Sequence, residues 1–167
     1  MSYSSLTYSE DIKEFYDTLK LQVFGLTSDV PHFIANMSNI SAVLNDALTQ
    51  INWVGFYFME DGRLVLGPFQ GKPACIEIEV GRGVCGTAVA KDEIQLVEDV
   101  HAFPGHIACD SASNSEIVIP MHANGQIVGV LDIDSPVLCR FTEEDKEGLA
   151  TIVQMIETMD WFWKAFA

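Results

Sequence analysis

The sequence predicts an α+β domain, a central antiparallel sheet flanked by helices. Three observations carry this. Apolar residues recur at helical spacing near both ends of the chain, they alternate with period two in between, and the middle strands come in pairs joined by short glycine turns. The 167 residues suit a single domain over 1–167, and no repeat, low-complexity tract or linker-like stretch divides them.

The elements follow in order. N-terminal helices take up about residues 9–49. Ile12, Phe15, Tyr16, Leu19 and Val23 mark one apolar face, and Gly25 is expected to close that helix. A second helix opens near Asp29 with Pro31 in its first turn, and Phe33, Met37, Ile40, Leu44 and Leu48 carry its face. The sheet and its loops take up about residues 52–135. "NWVGFYFME" reads as a strand, which "DG" turns back into "RLVLGPF". "CIEIEV" alternates. "GRGVCGTAVAKDE" is a glycine-rich entry into a short helix, and "IQLVEDV" reads as a short strand. "SEIVIPMHANGQIVGVLDIDSP" is a hairpin turning at "ANGQ". Thr142 caps a final helix over about residues 142–165, with Asp145 where a capping box has Glu or Gln. Leu149, Ile152, Val153, Ile156 and Trp163 form its apolar stripe.

Acids outnumber bases 24 to 9, a formal charge of −15. Such a field repels phosphate backbones and anionic lipid, which argues against nucleic acid and membrane as partners and favours a cationic ligand group. Plain surface solvation is the simpler account of the charge. No apolar run reaches the length of a membrane span, and "MSYSSLTYSE" lacks a secretory signal, so the cytoplasm is the expected compartment.

The four cysteines, Cys75, Cys85, Cys109 and Cys139, contain no CxxC pair and fit no common zinc spacing. In a reducing compartment they read as core residues, ligands or redox catalysts. His101 and His106 lie near Cys109, where an irregular metal site would need them. Cys109 alone could be an inert core thiol, but "FPGH" and "DSAS" around it are a poor core setting. "GRGVCG" is neither GxGxxG nor a Walker loop, so nucleotide binding is unsupported; its glycines are expected to give Cys85 mobility. Asp132 and Asp134 alternate in "LDIDSP" and so share one strand face, either as a solvated strand end or as part of a pocket. Trp53 and Tyr57 likewise share a face, as a core pair or a pocket wall, with Gly55 leaving room between them. Phe56 and Phe58 point the other way, into the core.

"NWVGFYF", "GRGVCGTA", "FPGHIACDSASNSEIVIP" and "GQIVGVLDIDSP" together resemble the free methionine-(R)-sulfoxide reductases, enzymes built on a GAF domain. The resemblance runs over about residues 30–160. It implies a single GAF-like domain and an oxidoreductase that reduces free L-methionine-(R)-sulfoxide to methionine. It makes Cys109 the nucleophile and Cys85 its resolving partner, with Cys75 in a later exchange or as an alternative resolver. Cys139 falls outside the pattern and reads as structural. The resemblance further implies Glu116 and Asp134 at the sulfoxide end, Asp132 at the amino end, and Trp53 and Tyr57 around the methyl and thioether. It implies thioredoxin or a similar dithiol protein as reductant and no metal or organic cofactor. Together with the "WFW" tail it points to a homodimer.

The chemistry is consistent in itself. A thiolate attacks the sulfoxide sulfur, methionine leaves, and the cysteine keeps the oxygen as a sulfenic acid. A second thiol condenses with it, and an external dithiol restores the enzyme. Such a site needs an activated thiol, a reachable thiol, an acid near the oxygen and an anion for the ammonium. Two rivals share the fold: a GAF module that binds a regulatory small molecule, and a thiol redox sensor without turnover. An acidic pocket suits a cyclic nucleotide badly.

Overall fold

In the computed structural model, which describes residues 6–106 and 111–167, two helices open the chain. In α1 (Ile12–Thr27), Asp11 accepts the Glu14 N–H at the N-cap, and Tyr16, Leu19, Val23 and Thr27 are buried. Gly25 does not close this helix, which runs on to Thr27. A glycine ends a helix by taking a left-handed φ, and Gly25 does not take one. Helix α2 (Phe33–Ala47) begins later than expected, after an extended His32, which leaves Asp29 and Pro31 in the connection. The proline disfavours helical backbone at Val30, and the Asn36 side chain donates to the Val30 carbonyl at 2.7 Å to hold the turn.

Strands β1 (Trp53–Glu60) and β2 (Arg63–Gly71) form the first hairpin; its turn residues Asp61 and Gly62 both have positive φ, as a twisted two-residue loop requires. β3 is confined to Glu77–Glu79, because only those residues pair with Arg63–Val65, and Ile76 and Val80 on either side are exposed. Helix α3 (Gly83–Lys91), β4 (Gln95–Val97) and a 3₁₀ turn (Val100–Ala102) follow. β5 (Ser115–Ala123) and β6 (Gln126–Ser135) make the second hairpin around Asn124–Gly125. The strand order is β3-β2-β1-β6-β5-β4, antiparallel throughout.

Thr142 and Asp145 form the capping box of α4 (Glu143–Glu157). The single helix expected over 142–165 is broken. Met159 is extended, and a short α5 (Asp160–Trp163) restarts after it. The bend turns Trp161 and Phe162 into the core and leaves Trp163 36% exposed, so Trp163 does not continue the α4 stripe. Two of the three "WFW" aromatics are therefore spent inside the fold.

Period-two alternation divides the buried residues by sheet face. Val54, Phe56, Ile117, Leu131 and Ile133 pack under α1, α2 and α4, with Phe58 against them. Trp53, Tyr57, Val118 and Val130 point to the opposite face, where α3 brings Val84, Cys85 and Ala88. No helix among the described residues is long and apolar enough to cross a membrane.

A buried polar knot ties α1 to the start of α4. Tyr16 Oη donates to Asp145 Oδ1 at 2.6 Å, and Arg140 Nη1 donates to Asp145 Oδ2 at 3.2 Å. Tyr16→Phe removes the donor and leaves a buried carboxylate oxygen short of a partner. Such a bond to a charged group is worth about 1.5–3 kcal/mol. Denaturant unfolding should show a loss of that size. An unchanged midpoint and slope would mean the knot contributes nothing.

Candidate active site

Pairing register assembles the site. On β6, Asp132 and Asp134 occupy alternate positions; Asp134 lies opposite Trp53 of β1 and opposite Glu116 of β5, and Asp132 lies opposite Gly55. All three acids therefore point to the face that holds Trp53 and Tyr57. Helix α3 crosses this face and sets the Cys85 Sγ 4.0 Å from Glu116 Oε1. Trp53, Tyr57, Cys85, Glu116, Asp132 and Asp134 line one pocket. The strand-end reading of the two aspartates is thereby set aside.

Cys85 is 4% exposed within the first turns of α3. A Cβ at Gly86 would lie 2.2 Å from the Glu79 carbonyl oxygen, so this glycine lets α3 press onto the end of β3. Gly55 does not open space for a ligand. A Cβ there would lie 2.3 Å from Phe69 Cβ and 2.8 Å from the Trp53 ring, so those two groups already fill the gap. Trp53 stacks on Phe69 at 5.2 Å and on Tyr57 at 5.9 Å. The polar tips of the pair are also committed. Trp53 Nε1 donates to the Lys72 carbonyl at 3.1 Å, and Tyr57 Oη donates to the Cys75 carbonyl at 3.0 Å.

The cysteines divide. Cys75, half-buried beside the pocket residues Pro73 and Ala74, is disulfide-bonded. Cys85 and Cys139 are free thiols, the second exposed. Cys109 lies outside the described residues, as does any metal site that includes it. The resemblance made Cys85 the first resolving partner; here it is Cys75 that is bonded.

Burial dominates the electrostatics. It pushes Glu116 well above the ordinary carboxylate range, and the charges of Asp132 and Asp134 push further. Burial raises Asp132 to about 6, opposed by hydrogen bonds from Glu116 and Cys85. The pair therefore keeps a proton near neutrality, with Glu116 as donor and Asp132 as acceptor. Burial, then the Asp132 charge, raises the Cys85 thiol far above its usual value. A thiol held neutral is a hydrogen-bond donor and a poor nucleophile. The same two causes keep Tyr57 a neutral phenol.

Arg82, Ser113 and His106 are polar lining residues to which the sequence assigned no pocket role. The sequence offered His106 only as a metal ligand; burial, then His101, lowers its pKa and leaves the ring neutral. Arg82 stands at the N-cap of α3, between the two glycines of "GRG".

Comparison with known proteins agrees with this geometry. The GAF domain family matches residues 34–158. The Escherichia coli protein named free methionine-R-sulfoxide reductase is 58% identical over 144 residues, covering 86% of this chain and 87% of that protein. Two solved structures superpose closely. One is the Staphylococcus aureus fRMsr in complex with substrate, 52% identical, TM-score 0.82, covering 92% of this chain and 97% of that one. The other is the Neisseria meningitidis free methionine-R-sulfoxide reductase in complex with its substrate, 38% identical, TM-score 0.92, covering both chains in full, 100% each.

Proposed function

The chain belongs to the free methionine-R-sulfoxide reductases, oxidoreductases on a GAF domain, and from that premise we propose a thiol mechanism that reads its substrate as a free amino acid. The observation that carries it is the buried Glu116–Asp132–Asp134 cluster facing Trp53 and Tyr57. Asp132, the ionised member of its pair, takes the substrate ammonium. Glu116 and Asp134 face the sulfoxide oxygen, and the neutral Glu116 carboxyl donates to it. The methyl and thioether lie against Trp53 and Tyr57. The carboxylate points to Arg82 and the amino end of α3, where backbone N–H groups face an anion. A peptide-bound residue lacks both terminal charges and gains nothing from either end.

Cys109 attacks the sulfoxide sulfur as a thiolate while the oxygen takes the Glu116 proton. The sulfur–oxygen bond then breaks as the oxygen passes to the Cys109 sulfur, the transient sulfur–sulfur bond breaks, and methionine leaves, so the sulfoxide is reduced and Cys109 is oxidised to a sulfenic acid. A second thiol condenses with it, forming a disulfide and releasing water. The bonded state of Cys75 supports Cys75 as that thiol. A dithiol protein such as thioredoxin then exchanges with the disulfide and leaves it reduced. Free thiols at Cys85 and Cys139 suit a reducing compartment, the cytoplasm. In a homodimer, Trp163 is the tail aromatic left to meet a partner.

The assay is consumption of reductant with free methionine sulfoxide, against a no-substrate control and the same residue within a peptide. A single turnover separates the thiols. Cys75→Ser is expected to release about one methionine per chain and then stall with thioredoxin, whereas Cys85→Ser keeps cycling. Peptide mapping after one equivalent of substrate should find Cys75 joined to Cys109. A Cys85–Cys109 cross-link in its place would return the resolving role to Cys85.

A further inference from the structure

We propose that the pocket contains a zinc site formed by Cys85 Sγ, one carboxylate oxygen of Glu116 and one of Asp132. The three donors come from α3, β5 and β6, lie within 4.8 Å of one another, and belong to buried residues. In tetrahedral zinc coordination, sulfur at about 2.3 Å and oxygen at about 2.1 Å place neighbouring donors roughly 3.4 Å apart. Closing this cluster onto an ion therefore takes side-chain shifts of about 1 Å and no movement of the strands.

A second observation points to a cation. Among the described residues, Asp132 Oδ1 has no hydrogen-bond partner, although the residue is 6% exposed and lines the pocket. A buried carboxylate oxygen left alone is costly, and a cation relieves it. The substrate ammonium is one such cation; a divalent ion is another. The donor set selects which. One sulfur and two oxygens suit zinc, whereas magnesium and calcium want six or more oxygen ligands. The fourth position faces the pocket and takes water, as in open zinc sites.

Binding moves no electrons: the Cys85 thiol and the Glu116 carboxyl each give a proton to water as they meet the ion, and zinc stays divalent. The bound ion occupies the acids that hold the ammonium, so zinc inhibits reversibly and in competition with substrate. That competition rests on the pocket reading above; zinc binding itself does not.

The test uses Cys139→Ser protein with the Cys75 disulfide intact, titrated with zinc alone by calorimetry. Cadmium in a parallel arm reports sulfur ligation through its ultraviolet thiolate charge-transfer band. One zinc per chain and a cadmium band are expected. Adding Cys85→Ser should abolish the band, and Cys85→Ser or Asp132→Asn should weaken zinc at least tenfold. Glycine chelates zinc in solution through the same amino acid groups but lacks the side chain that fills the pocket, so methionine sulfoxide should raise the apparent zinc Kd well beyond the rise that an equal concentration of glycine produces. Absence of binding or of the band in the Cys139→Ser parent would overturn the site without reliance on any pocket variant. Unchanged affinity in Cys85→Ser would overturn it too. Zinc bound as expected but indifferent to methionine sulfoxide would keep the site and remove Asp132 from ammonium recognition.

Discussion

Cys109→Ser is expected to release no methionine above background, in steady state or in a single turnover. A hydroxyl is a weaker nucleophile than a thiolate and cannot accept the sulfoxide oxygen as a sulfenic acid. Losing an enzyme nucleophile costs on the order of 10⁴–10⁶ in rate. Of the two free thiols, neither is placed to substitute: Cys85 is in the pocket but is held protonated by burial and by Asp132, and Cys139 is exposed and outside the pocket lining. Rapid quench with one equivalent of substrate is the measurement. Stoichiometric methionine from the serine variant would move the nucleophile elsewhere and leave Cys109 as a bystander.

Glu116→Gln is expected to act on kcat and Asp132→Asn on KM. The glutamine keeps the shape of Glu116 but cannot deliver a proton to the sulfoxide oxygen, a contact that grows toward the transition state. Asp134→Asn should follow Glu116→Gln. The asparagine at 132 removes the ammonium's counter-charge, which weakens ground-state and transition-state binding alike. A charge-assisted hydrogen bond of about 1.5–3 kcal/mol corresponds to roughly ten- to a hundredfold in either parameter. Stability moves in the opposite direction. Both groups have folded pKa values above their unfolded ones. Between the unfolded value of 3.8 and about 6, folded Asp132 binds more protons than the unfolded chain. Stability is therefore fully present below that window and falls as pH rises through it, and further as Glu116 ionises. Glu116→Gln and Asp132→Asn should flatten this decline and melt at or above the parent near neutrality. Lowered melting temperatures with near-parental kinetics would make the acids structural.

Much of this was legible in the chain because the informative signals are local. Period-two spacing is enough to put Asp132 with Asp134, and Trp53 with Tyr57, on shared faces. The two hairpins announce themselves through Asp-Gly and Asn-Gly. What stayed hidden depends on long-range register and burial. Nothing near Glu116 in sequence says that it faces Asp134 across two strands and shares a proton with Asp132. The roles of Gly55 and Gly86 are set by Phe69 and by the Glu79 carbonyl, which only the fold brings near. The break after Glu157 is likewise tertiary: Trp161 and Phe162 reach the core only if α4 stops.

Trp53 and Tyr57 line the pocket while their polar tips hold the Lys72 and Cys75 carbonyls. The pocket walls are thus also the tether of the segment that carries the disulfide-bonded Cys75. On the mechanism proposed above, enlarging the pocket at either aromatic for a bulkier sulfoxide would slacken the segment that meets the external reductant. Substrate scope and regeneration rate would then change together, and any lineage or laboratory that evolves one of them would inherit a change in the other.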